Sequence, residues 1–320
     1  MIIKVKMLTT EMTKPPITAP PKNQWLAHLM LEFSDTPVGT QLTRTRRKGP
    51  LSVQKAFYPE GSDCAHIYLL HPPAGIVSGD ELRIGVEVKK NAHLLFTTPG
   101  AGRFYRAREN LTIGDSQQTQ ITQFDLEARA KCENFPQETI VYEGADGFNS
   151  VDINLTSTSV YLGWDITCLG LPDSDQAFIR GKYCQLNRLF CDTKLIYHDR
   201  ISLSPDNNLL AHPAGLAGNT VFATFLAYAP IFCNTPGPHN QPQQLNKSPQ
   251  HKNLVNLLRD KITEEKAQNK ISITEINGLL VIRYLGHHAQ ECKQLFISLW
   301  QLLRPLLLNK SAVQPRIWYT

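Results

Sequence analysis

The sequence predicts a mainly β fold, and three observations carry that prediction. Strand-like runs recur roughly every 8–12 residues, the spacing of sandwiches, barrels and β-solenoids. The runs alternate apolar with polar residues, favour β-branched side chains and end at Gly or Pro. Helical periodicity is confined to two stretches near the end of the chain, 254–267 and 287–303. No fixed sequence period links the strands, so repeats alone do not select a solenoid.

The elements follow in order. Residues 1–22 hold two internal methionines, Met7 and Met12, among prolines, and read as a flexible lead-in to a single β-rich domain at 23–320. A first hairpin runs from Trp25 to Thr45 and turns at Asp35-Thr36-Pro37-Val38-Gly39. Residues 52–57 continue the sheet. The densest stretch is 57–106, where strands at 66–70, 82–88 and 93–96 are separated by Pro- and Gly-rich turns. An exposed strand pair is expected at 111–124, then strands at 139–142, 151–155 and 160–169. A further pair spans 185–202, around Cys191-Asp192-Thr193. Residues 234–253, with four prolines and many Asn and Gln, read as a disordered surface loop. A helix at 254–267 precedes strands 271–276 and 279–285, joined by the hairpin signal Asn277-Gly278. An amphipathic C-terminal helix at 287–303 should stop at Pro305.

Bulk composition excludes several classes. With 42% apolar and 19% charged residues the chain is globular. The net charge of +5 is scattered apart from Arg44-Thr45-Arg46-Arg47-Lys48, which reads as a solvated strand end, so no nucleic acid is indicated. Seven cysteines, an odd number without any CxxC pair, argue against a disulfide framework and a structural zinc site and fit a reduced, cytoplasmic setting. The N-terminus lacks a signal-peptide core, and the most apolar segment, 220–232, is too short to span a bilayer.

Few residues suggest chemistry. Cys64 and His66 lie two apart, so on a strand they share a face, and thiolate with imidazole suits nickel or zinc. A buried thiol beside a core histidine is the commoner outcome for one such pair. His71, before Pro72-Pro73, reads as a turn residue and not as a ligand. Asp80, after Gly79, is either an Asx-type turn residue or a carboxylate in a polar interior. Asp165 is more informative, because it interrupts the apolar strand 160–169 and a buried carboxylate must be paired, hydrogen-bonded or next to water. A structural Asp–Arg pair or a functional polar channel would meet that need, and the pair is the simpler reading. The Gly100-Ala101-Gly102 turn before Arg103, Tyr105 and Arg106 lacks the rest of a phosphate-binding fingerprint. No nucleophile–base pair is recognisable.

In order along the chain, GPLSVQKAFYPEG, IYLLHPPAGIVSGD, TTPGAGRFYR, FPQETIVYEGA, GWDITCLGLP and PRIWYT resemble the UreD/UreH urease accessory proteins. Some positions depart from the family. HPPAGIVSGD stands for HPPGGIVGGD, Leu171 and Gln176 replace an Arg and a Glu, and Cys64-Ala65-His66 spreads a pair that is often adjacent. The resemblance implies an elongated, β-helix-like stack of sheets with few helices. It also implies a non-enzymatic scaffold for nickel insertion into apo-urease, which binds urease and UreF and reaches UreG through UreF. Nickel would be cargo in transit through a polar tunnel, with no tightly bound cofactor. The family's tunnel carboxylates fall on Asp80, Asp165 and Asp199, and a lining Ser falls on Gly102. The helix at 287–303, rich in large apolar residues such as Leu302, is expected to contribute to the UreF interface. The alternative is a carboxylate-based hydrolase or lyase on a β-solenoid-like frame, with Asp80 and Asp165 as acid and base.

Overall fold

A computed structural model of the chain describes residues 25–174, 176–204, 206–232 and 249–319. The expected lead-in at 1–22 and the 234–248 part of the expected loop lie outside these residues. Two sheets account for the described strands. Across the first, in spatial order, run β2 (Gly39–Lys48), β1 (Trp25–Thr36), β5 (Asp80–Val88), β8 (Gln118–Leu126), β11 (Asp146–Leu155), β13 (Lys182–Cys191) and β14 (Lys194–Leu203). The second runs β3 (Ser52–Val53), β4 (Ala65–Leu70), β6 (His93–Thr97), β9 (Lys131–Phe135), β12 (Val160–Leu169), β15 (Val221–Tyr228), β17 (Leu279–Gly286) and β16 (Ile271–Ile276). Two short strands lie off this path: β10 (Thr139–Val141) pairs with β12, and β7 (Gly102–Phe104) pairs with β10.

Parallel neighbours need a crossover, commonly a helix. Here the crossover is a strand of the other sheet. Between β4 and β13 the chain passes back and forth, so β1, β5, β8, β11 and β13 pair in parallel in one sheet. In the other, β4, β6, β9 and β12 do the same. Antiparallel hairpins close the ends, β1 with β2 and β13 with β14. The exposed basic residues of the β2 edge, Arg44, Arg46, Arg47 and Lys48, discourage pairing with another strand.

The second sheet is covered on both faces. Between the sheets pack Leu29, Phe33, Val86, Phe124 and Ile153 against Ile67, Phe96 and Tyr161. On the far side, Leu162, Trp164, Phe225 and Ile282 meet two helices, α1 (Pro249–Glu264) and α2 (Ala289–Leu308). A strand buried on both faces loses the apolar–polar alternation. β15 is accordingly buried at every position.

Three expectations need correction. The 111–124 pair is a single 3-10 turn, Leu111–Ile113, followed by β8, an interior strand of the first sheet. Its Thr- and Gln-rich composition suggests exposure, but half of those polar residues point inward. Residues 249–253, placed in the expected loop, begin α1. Pro305 lies inside α2, which ends at Asn309 in a left-handed conformation (φ 54°). Arg304 and Leu308, both buried, hold the last turn on the sheet, and Pro305 takes its place on the exposed side. Of the large apolar residues of α2, Leu295, Phe296, Leu299, Trp300 and Leu303 are buried and Leu302 is half-buried.

Candidate functional site

A cavity of about 250 Å3 lies between the sheets, lined by turns at one end and by a polar patch of the interior. The patch follows from register. In-register pairing places Leu82, Gln120, Asn149 and Gln185 in one row across β5, β8, β11 and β13. Further along the same strands the inward positions are apolar, as at Val86, Phe124, Ile153 and Leu189. Amides stacked in register on a parallel sheet satisfy one another. Gln120 Nε2 donates to Asn149 Oδ1 at 3.3 Å, and Asn149 Nδ2 donates to Gln185 Oε1 at 2.9 Å. Gln185 Oε1 also accepts from the Tyr183 hydroxyl at 2.8 Å, while Gln185 Nε2 donates to Asn187 Oδ1 at 3.2 Å and to the Asp165 carboxylate.

Asp165 meets this row from the second sheet. Alternation along β12 puts Tyr161 and Asp165 toward the first sheet and Leu162, Trp164 and Ile166 toward the helices. The carboxylate is half-buried and lines the cavity. No cation among the described residues pairs with it. Burial pushes its carboxyl up to about 7, against the opposing hydrogen bond from Gln185. The expected structural Asp–Arg pair is therefore absent there.

The other predicted residues are placed elsewhere. Asp80 is buried on the inward side of β5 and accepts the Val77 N–H at 3.1 Å, the turn role; burial raises its pKa, against Val77 N–H and Arg108. It does not line the cavity, so Asp80 and Asp165 do not form the acid–base pair of the hydrolase alternative. Asp199 on β14 is paired with Arg283 at 3.0 Å. His71 lines the cavity, and its carbonyl accepts the Ala74 N–H at 2.8 Å. The Gly100–Gly102 turn forms part of the cavity wall and includes the position where the family carries a Ser.

Cys64 and His66 do share a face, toward α2, within a different cluster. Glu60, Cys64 and His66 place donor atoms within 4.8 Å of one another, as do Cys64, His93 and Glu133. A cation already occupies the middle. Arg304 reaches Glu60 at 2.7 Å and Glu133 at 2.9 Å, and its Nη2 lies 3.9 Å from the Cys64 sulfur. His66 and His93 bind the same carboxylates through Nε2, at 2.6 and 2.9 Å. Burial and the nearby Glu133 and Glu60 push the Cys64 thiol well up, away from the thiolate that would bind metal.

Sequence reasoning missed Gln120, Asn149 and Gln185. Each sits an even number of residues from inward apolar neighbours (Phe124, Ile153, Leu189), and a polar residue on the buried phase of a strand is the available signal. Glu133, a carboxylate among the otherwise apolar or uncharged residues 132–136, carried a comparable signal.

Fold and site define a class of protein: a two-sheet β scaffold around a polar cavity. No helix among these residues is long and apolar enough to cross a membrane. The sequence model described as UreD urease accessory protein matches residues 26–319. Similar proteins include the urease accessory protein UreD of Psychromonas ingrahamii, 88% identical over 314 residues, covering 98% of this chain and 100% of the relative. Those of Marinomonas sp. (39% identical, 93% and 91% covered) and Dechloromonas aromatica (36% identical, 95% and 98% covered) are also similar. The chain belongs to the UreD family of urease accessory proteins, which are not themselves enzymes.

Proposed function

We propose that the chain is a cytoplasmic scaffold for nickel insertion into apo-urease, and that nickel passes through the cavity between its sheets. Asp165 is the observation that carries the reading: a carboxylate without a counter-cation, facing a cavity and backed by neutral amides. Such a site costs stability unless something uses it. Oxygen ligands with intervening water attract a divalent ion yet release it, whereas a thiolate would hold it. Among the described residues no cysteine lines the cavity, and Cys64 is turned toward the helices. In this reading the protein binds apo-urease and UreF, and UreG through UreF, so that the ion enters and leaves within the assembled complex.

The test is activation of co-expressed urease at fixed, limiting nickel, with the chain present or absent. Activity should depend on the chain; equal activity in both arms sinks the assignment. Asp165→Asn should then reduce activation at limiting nickel, with partial recovery when nickel is added.

A further inference from the structure

We propose that His71 is the nitrogen ligand of the inter-sheet cavity, through which the cavity distinguishes nickel from hard divalent cations. The inference deepens the passage reading and rests on it. His71 and Asp165 line the same cavity. The ring of His71 plays no part in the turn it belongs to, since the backbone carbonyl makes that contact. Its Nε2 is shielded from solvent without a hydrogen-bond partner. The Nδ1 atoms of His66 and His93 are similarly shielded, but those rings are each anchored by a carboxylate at Nε2. His71 has no such anchor, so rotating its side chain to present a nitrogen to the cavity breaks no hydrogen bond. Burial lowers its pKa, which keeps the ring neutral and its lone pair available at neutral pH.

Its support is otherwise rigid. Pro72 and Pro73 fix the backbone after it, Ala74 adopts a left-handed conformation (φ 63°), and the Arg103 guanidinium donates to the Ala74 carbonyl at 3.2 Å. That arginine also settles what attracts the ion. Arg103 and Asp165 are the only charged residues of the lining among the described residues, and with its carboxyl pushed up to about 7, Asp165 offsets Arg103 only in part near neutral pH. The long-range field of the cavity therefore does not concentrate a dication, and retention rests on local coordination, by the Asp165 oxygens and by a nitrogen donor. The other polar lining groups, amides and hydroxyls, are oxygen donors that suit magnesium or calcium as well as nickel. An imidazole shifts preference toward nickel along the Irving–Williams order.

Two measurements on the folded chain test this. In histidine-selective NMR, substoichiometric Ni2+ should broaden the His71 resonance, and a large excess of Mg2+ should leave the broadening in place. His71→Gln and His71→Asn should each weaken nickel binding at the cavity by at least about tenfold. Mg2+ should then displace the remaining nickel. An unbroadened His71 in the wild-type chain overturns the proposal and needs no variant. Unchanged nickel affinity in folded His71 variants, with affinity lost in Asp165→Asn, also overturns it and leaves the passage reading standing. Unchanged binding and urease activation in both His71 and Asp165 variants removes the passage reading and this inference together.

Discussion

Glu133 and Asn134 are neighbours on β9, yet they serve opposite faces of the second sheet. Asn134 lines the cavity, on the side of Asp165. Glu133 looks toward α2, where His93, Trp300 Nε1 (2.7 Å) and Arg304 saturate its oxygens. The two faces treat carboxylates in contrary ways. On the helix side, burial alone would raise Glu60, but hydrogen bonds from His66 and Arg304 hold it down to about 2, and Glu133 is likewise lowered by His93 and Arg304. On the cavity side Asp165 has one amide donor and is pushed up to about 7. The paired carboxylates fasten the C-terminal helix to the sheet. The unpaired one faces the cavity, where the proposed passage would supply its cation.

The largest expected effect lies on the paired side. Glu133→Ala leaves Arg304 buried with half its carboxylate support and strands the Trp300 and His93 donors. Removing one member of a buried pair typically costs about 3–5 kcal/mol. Urea denaturation followed by the fluorescence of Trp300 and Trp318, which pack together at 5.8 Å, should register that loss. A loss below about 1 kcal/mol, the scale of an exposed ion pair, would abolish the distinction between the two faces.

Asp165→Asn should behave differently, and pH makes the contrast sharp. Folding raises the Asp165 pKa above the ordinary carboxylate value near 4, so the folded state binds its proton more tightly than the unfolded chain. Its contribution to stability is therefore fully present below about pH 4 and is lost as pH rises toward about 7, with a slope of at most about 1.4 kcal/mol per pH unit. Glu60 has the opposite sign. Its folded pKa is depressed, so its contribution is present above the unfolded value near 4.5 and disappears as pH falls toward about 2. Asp165→Asn should remove the first slope, leave the second, and above pH 7 match or exceed the wild type in stability. A marked drop in melting temperature at pH 8 would mean that Asp165 is structurally paired.

Much of the fold was legible because alternation and turn chemistry are local. Asn277-Gly278 and Cys191-Asp192-Thr193 mark hairpins, and Asn277, Asp192 and Thr193 take the positive φ those turns need. Asp165 and Trp164 are adjacent on β12, so local alternation alone sets them on opposite sides. What was not legible is non-local. The amide row depends on the register of four strands that are far apart in sequence. Arg304 finds Glu60 and Glu133 across the whole domain, so nothing near Cys64 and His66 signals that a guanidinium fills the space between them. Pro305 was misread for the same reason, since the burial that keeps the helix going past it is tertiary.

The smallest effect should come from Asp199→Asn, which asks how far the cavity-side network extends. Asn187, which accepts from Gln185, stands opposite Asp199 in the antiparallel register of β13 and β14. An amide path thus connects Asp165 to the neighbourhood of Asp199. Asp199 differs from Asp165 in already having a cation: Arg283 binds it and also donates to the Tyr197 hydroxyl at 3.2 Å. The Arg283 side chain is 43% exposed, so the pair is screened by water and removing it should cost no more than about 1 kcal/mol. A carboxylate already neutralised by arginine adds little attraction for a second cation. Asp199→Asn should therefore melt close to the wild type and reduce nickel-limited urease activation far less than Asp165→Asn. Measured side by side at the same nickel concentration, equal losses in the two variants would show that the ion reaches Asp199 and exchanges with Arg283. Wild-type activation with Asp199→Asn alone would confine the passage to the cavity that Asp165 lines.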